Sequence, residues 1–420
     1  MSMNRSATRT FDETDISSLE FWARPMAERD EAFAHLRRDR PVSFHRPPEG
    51  ALFPKNDGFW ALVRHADVVS ASRHPELFCS GRGISMEDLP HEMEEAMASF
   101  LVMDAPRHTT MRRLVSHAFT PRQVARIEEA IRRQAVTIVA DALTAGTIDV
   151  VETLAMRLPL WTISELLGVP EEIRARVYWA ANTMVGLNDP DWVAPGDSGL
   201  ETMMMAALEL HQIAVDLAAR RRERPEDDLM SALVAAEVDG ERMSDEEIAA
   251  FFHLLTVAGN DTTRNSISHG VAAFAANPDQ WTLLRSNIGD HLGPAVEEVV
   301  RWATPVLQFR RTATRDVELH GRRIAAGDWV VMFYLSANRD DAVFADPWRF
   351  DITRAPNEHV GFGGGGPHFC LGASLARTQL RAVFAELARS VVAFEAGETE
   401  CLVGFFINGV KRLPCRLVVR

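Results

Sequence analysis

Apolar residues recur along most of the chain at helical spacing, and strand-like alternation is confined to short stretches. A helix is predicted over residues 19–38 from Phe21, Trp22, Met26, Phe33 and Leu36. Residues 1–16 ahead of it carry no such pattern and are expected to be disordered. Residues 59–63 read as a strand and 65–74 as a short helix. Residues 79–100 mix glycines, a proline, acids and methionines, which predicts an irregular connection, a lid. Long helical patterns cover 121–143, 151–167, 171–185 and 200–222, with a proline-broken surface loop at 188–199. A short helix opening on Pro294 is predicted over 294–302. Strands follow at 307–314, 317–319, 323–325 and 329–333, and a last hairpin over 402–419 turns at Asn408-Gly409.

The longest periodic stretch, residues 245–276, starts at Ser244-Asp245-Glu246-Glu247, a capping box, and stops before Pro278. As one helix it would span ~48 Å, the width of a domain. Its middle, Ala258-Gly259-Asn260-Asp261-Thr262-Thr263, interrupts an apolar face that includes Leu254, Leu255 and Val257. A central glycine costs ~1 kcal/mol against alanine, and β-branched threonines add to that. This segment is either an exposed polar turn or a groove that sets an acid beside an alcohol, where protons can be relayed. With no internal repeat and no linker, one mainly α domain with a smaller β region, residues 17–420, is predicted.

Composition narrows the classes. The 420 residues carry a net charge of −14, which argues against general nucleic-acid binding. The four cysteines, Cys79, Cys370, Cys401 and Cys415, lie far apart, as neither a disulfide framework nor a zinc site would have them, and fit a reducing cytoplasm. No signal-type leader is read at the start. No apolar run approaches the ~20 residues of a membrane span.

One stretch concentrates the candidate chemistry: Gly361-Phe362-Gly363-Gly364-Gly365-Gly366-Pro367-His368-Phe369-Cys370-Leu371-Gly372. Its glycines allow unusual backbone angles and close approach to a bound group. Apolar positions at Leu375, Leu380, Val383, Phe384 and Leu387 predict a helix directly after it. Cys370 therefore stands where a tight loop meets a helix N-terminus, a place that favours an anionic sulfur and suits a thiolate ligand to iron. The alternative is a small buried hydrophobe. The glycines also spell a dinucleotide fingerprint, but no βαβ pattern surrounds them. Elsewhere, Pro106 begins a helix that sets His108 and Arg112 on one face, either for an anionic ligand or as a solvated basic face. Glu298 and Arg301, three apart, can pair. Met203-Met204-Met205 is either adaptable core or the lining of an apolar pocket.

Taken in order, these segments resemble the bacterial cytochrome P450 monooxygenases over nearly the whole chain. Ala258 to Thr262 is similar to that family's oxygen-activation motif. Glu298 to Arg301 is similar to its E-x-x-R pair, with Arg354 at the second arginine. His108, Arg112, Arg311 and His368 match its haem-propionate contacts, and Phe362 to Gly372 its haem-thiolate loop. Phe362 lies one residue further ahead of Cys370 than in the usual loop. This variation resembles an actinobacterial branch acting on sterols and methyl-branched lipids, and it puts the placement of His368 in question.

The resemblance implies a long central helix over a haem bound by the cysteine loop. The cofactor would be haem b (iron protoporphyrin IX), with Cys370 as its metal ligand. His108, Arg112, Ala258, Gly259, Arg311, Phe362, Gly363, His368 and Gly372 would make further cofactor contacts, Gly259 leaving room for O2. Asp261 and Thr262 would be catalytic, and Glu298, Arg301 and Arg354 structural. The implied reaction is terminal (ω) hydroxylation of methyl-branched fatty acids or isoprenoids with O2 and two electrons. Other readings are a steroid side-chain hydroxylase and a non-catalytic haem-based sensor or carrier. The pocket would take an apolar, lipid-like molecule against Ile84, Met86, Leu254, Val257, Val306, Leu307, Phe405, Phe406 and Ile407, unless these are plain core. Electrons would come from ferredoxin and ferredoxin reductase, docking on Arg113, Arg122, Arg126, Arg377 and Arg381 unless these serve only solubility.

Overall fold

The helix Asp245–Ala276 runs through the middle of the molecule with the limits its sequence predicts. Its capping box is complete: Ser244 Oγ accepts the Glu247 N–H at 3.2 Å, and the Glu247 carboxylate accepts the Ser244 N–H at 3.0 Å. The computed structural model describes residues 9–49, 57–86, 91–118, 121–185 and 199–419. Helices Arg157–Leu167, Glu171–Val185 and Gly199–Glu223 pack along one side of the central helix, and Ile288–Ala303 and Ala373–Ser390 along another. The central helix buries residues all round its girth, among them Ile248, Phe251, Phe252, Ile267, Val271 and Phe274.

The β region lies to one side. A mixed five-stranded sheet runs in the order Val42–His45, Phe59–Leu62, Trp329–Phe333, Gln308–Ala313, Phe78–Cys79. Its second and third strands pair in parallel and its other neighbours antiparallel. Phe21, Trp22, Phe33, Phe59 and Phe333 form an aromatic core beside it. No described helix is long and apolar enough to cross a membrane.

Several expectations change. Pro25 divides the first predicted helix into Leu19–Ala23 and Met26–Asp39, because the residue before a proline is driven to extended backbone, as Arg24 is. Residues 9–16, expected to be disordered, lie instead against the sheet: Arg9 pairs with Asp328, Phe11 stacks on Phe44, and the Asp12 N–H donates to Phe44 O. Residues 1–8 lie outside the described residues. The lid stretch contains a helix, His91–Ala98, built from good helix formers, and a 3₁₀ turn, Ser99–Val102. Pro294 sits inside a helix that begins at Ile288, where the Asn287 side chain caps the Asp290 N–H. Residues 402–419 are not one hairpin. Val410–Arg412 pairs with Glu400–Cys401, whereas Pro414–Val419 joins Thr147–Asp149 and Val391–Ala396 in a separate sheet. The 188–199 loop lies outside the described residues except Gly199.

Candidate active site

The cysteine loop is closed by its own backbone. The Cys370 N–H donates to Phe362 O at 3.0 Å, the Gly363 N–H to Val360 O at 2.9 Å, and the Ala376 N–H to Gly372 O at 2.9 Å as the helix begins. Three of the loop's glycines, Gly364, Gly365 and Gly366, lie against a neighbouring helix. Gly366 has φ +75°, and a Cβ there would lie 2.2 Å from Ser72 O. A Cβ on Gly364 would lie 2.9 Å from Val69 Cα. These glycines therefore let the loop press onto helix His65–Arg73.

Cys370 is exposed, although many protein atoms crowd around its sulfur. Burial pushes its thiol up, and the Gly372 N–H, the Arg112 and Arg377 charges and the Ala373 N–H oppose this without cancelling it. The N–H groups at the helix start favour the anionic sulfur, as expected, but burial outweighs them. A coordinated metal ion would make the sulfur anionic.

Beside the loop stands a cluster of cationic and imidazole groups with few partners. His108 and His368 lie with ring centroids 4.3 Å apart, and His108 Nε2 and His368 Nδ1 are buried without a hydrogen-bond partner. Arg311 is buried, donates to Arg310 O at 2.7 Å, and has no ion-pair partner among the described residues. Arg112 donates to Phe369 O at 2.6 Å. Burial, with the Arg311, His108 and Arg112 charges, drives His368 down to about 2. Burial, with Arg112, lowers His108 as well. Such a set calls for anions. His368 stays in it despite the longer loop. One sulfur donor and a cationic, carboxylate-accepting rim fit a haem with two propionates.

The middle of the central helix is continuous. Asn260 and Asp261 are buried, whereas Ala258 is exposed and Thr262 half-buried, so these two leave one face of the helix open. Thr262 Oγ1 donates back to Ala258 O at 2.8 Å, which satisfies the hydroxyl without breaking the helix. Asp261 pairs with Arg264 at 2.8 Å, and its Oδ2 is buried without a partner. Burial lifts the Asp261 carboxyl to about 6 against the pull of Arg264. Asn182, on helix Glu171–Val185, accepts from Asn260 and Arg264, each at 3.3 Å. The Arg264 spacing could have been read from sequence; Asn182 gave no local signal. Gly259 does not face this open side. A Cβ there would lie 2.6 Å from Ile163 Cδ1, so the glycine makes room for helix Arg157–Leu167 rather than for O2.

Glu298 and Arg301 are wholly buried and joined by two hydrogen bonds, 2.8 and 2.7 Å. Arg354 lies 3.3 Å from Glu298, which also accepts from the Asp351 N–H at 2.9 Å and Asn357 Nδ2 at 3.1 Å. Arg301 donates on to the carbonyls of Asn338 and Pro347, so the pair fastens the segment leading to the cysteine loop.

Of the apolar residues assigned to a pocket, Met86, Leu307 and Phe405 belong to the buried core beside the sheet, and Ile84 is also buried. Leu254, Val257, Val306, Phe406 and Ile407 are half-buried. Val306 bridges to Ile407, the Leu307 N–H donates to Phe406 O at 2.8 Å, and the Asn408 N–H donates to Pro305 O at 2.9 Å. The methionine run divides: Met203 is core, Met204 and Met205 are exposed. Of the basic patch, Arg113 pairs with Asp239, Arg126 with Asp227 and Arg377 with Glu297. Arg381 is exposed, and the Arg122 side chain lies outside the described residues.

A long central helix over a cysteine loop with a cationic rim defines a haem-thiolate oxygenase, and the chain belongs to the cytochrome P450 family. The family match spans residues 190–390. The chain is 47% identical over 407 residues to a methyl-branched lipid omega-hydroxylase of Mycobacterium tuberculosis, covering 95% of this chain and 94% of the relative. It is 41% identical over 387 residues to a steroid C26-monooxygenase of Mycolicibacterium smegmatis, covering 91% and 88%. A Mycobacterium marinum cytochrome P450 solved in complex with pseudoionone superposes with a TM-score of 0.94 at 50% identity, covering 98% of this chain and all of that one. The protein is thus a monooxygenase, an oxidoreductase with a haem-iron cofactor.

Proposed function

We propose that this enzyme hydroxylates the terminal (ω) carbon of a methyl-branched fatty acid or isoprenoid, with haem b as cofactor and electrons from a ferredoxin and its reductase in the cytoplasm. The likeness to the omega-hydroxylase along almost the entire length of both chains carries the substrate class. When bound, the haem iron supplies the activation of O2. Cys370 would be its protein ligand. His108, Arg112, Arg311 and His368 would hold the propionates, and Phe362, Gly363, Gly372 and Ala258 would line the cofactor.

The chain's own part is positional and protonic. Asp261, lifted to about 6, holds or releases a proton near neutral pH. Thr262 sits one residue on, its hydroxyl kept on the open face by Ala258 O. The half-buried apolar residues Leu254, Val257, Val306, Phe406 and Ile407 exclude water and orient the alkyl chain. A steroid side-chain substrate is the second reading, supported by the 41% identity to the C26-monooxygenase. Titration with branched fatty acids, isoprenoids and sterols, followed by the haem spin-state change and by mass spectrometry of products, tests both. Tight sterol binding with no response to branched acids or isoprenoids would favour the second.

A further inference from the structure

Glu297 precedes the buried Glu298 and faces the cysteine loop. Its carboxylate takes Arg377 in two-point contact, Nε at 2.7 Å and Nη2 at 2.8 Å. A third donor is His359. The Gly361 N–H donates to His359 Nδ1 at 3.1 Å, so Nδ1 is bare and the ring proton sits on Nε2, which donates to Glu297 Oε2 at 3.1 Å. Arg377 in turn lies 4.4 Å over the Phe362 ring, and Phe362 O receives the Cys370 N–H. Two guanidinium groups thus lie near Cys370. Arg112 has no carboxylate partner among the described residues and is held by a carbonyl, whereas Arg377 is neutralised by Glu297. Arg377 is placed in the surroundings of the sulfur by the Phe362 ring that it covers, the same residue whose carbonyl holds the Cys370 N–H.

We propose that Glu297 is a positioning residue that holds Arg377 on the Phe362 ring and sets the net charge beside the Cys370 sulfur, and so the electron donation of that sulfur to iron. This rests on the reading of Cys370 as iron ligand. An unopposed guanidinium draws electron density from a neighbouring thiolate, and charges a few ångströms apart inside a protein interact strongly.

The test is a double-variant cycle on the haem-loaded protein, read by the iron reduction potential and by the absorption band of the reduced carbon-monoxide complex. Glu297→Gln should raise the potential and shift the band, because Arg377 is then uncompensated. In an Arg377→Gln background the same change should move both much less. Equal shifts in both backgrounds, or none in either, overturn the proposal. Arg377→Lys, which keeps the cation but loses the two-point contact, should retain the potential better than Arg377→Gln. It stands in for the glutamine variant should that one fail to take up haem, and a large fall in its potential also overturns the proposal. Absence of the thiolate-type band from the unmodified protein would defeat the iron-ligand reading instead.

Discussion

Asp261 and Arg264 are paired at 2.8 Å one turn apart in the central helix, yet Asp261 Oδ2 is buried and unpartnered. The carboxyl's folded value, about 6, lies above its ordinary 3.8. Between these values the folded protein keeps a proton that the unfolded chain has released. Stability from this group is therefore greatest below pH about 4, falls as pH rises to about 6, and is level above. Asp261→Asn removes that fall. Its unfolding free energy should gain on the parent's between pH about 4 and about 6, measured by urea titration. On its proposed role as proton carrier, the same change should slow turnover about 100-fold.

Cys370→Ala should abolish the thiolate-type band of the reduced carbon-monoxide complex. Circular dichroism should show the helices intact, since the loop is closed by backbone bonds rather than by the side chain.

Arg301→Ala would leave the Glu298 carboxylate buried without its two-point partner. Removing one member of such a pair typically costs about 3–5 kcal/mol, and the variant should denature at markedly lower temperature. Arg354→Ala should cost less, because Arg301 remains paired with Glu298.

Gly259→Ala should destabilise by about 1–3 kcal/mol through crowding against Ile163. Ile163→Val, which removes the atom in the way, should restore most of that loss in denaturant titrations. A failure of rescue would show that the glycine is needed on another side.

Gly366→Ala should impair haem uptake, as its backbone is left-handed and its Cβ would meet Ser72 O at 2.2 Å.

The sequence was most legible where local chemistry sets the boundary. The capping box at Ser244 and the stop at Pro278 delimit the central helix correctly. Glu298 and Arg301 meet because three-residue spacing on a helix brings them together. Legibility failed where a local signal was overruled: Pro294 reads as a helix start, but Asn287 caps an earlier one. It failed again where a residue answers to a distant neighbour. Gly259 suggests room for a ligand, yet its space is taken by Ile163 from another helix. Asn182 reaches Asn260 and Arg264, a contact no nearby pattern announces.

On the proposed reading of these residues as pocket walls, the backbone bonds that tie Pro305, Val306 and Leu307 to Phe406, Ile407 and Asn408 have a practical consequence for altering what this enzyme accepts. Two segments about a hundred positions apart in the chain form a single design variable. Libraries that randomise one while freezing the other will mostly sample mismatched halves, and exchange of both from the same donor is the productive unit.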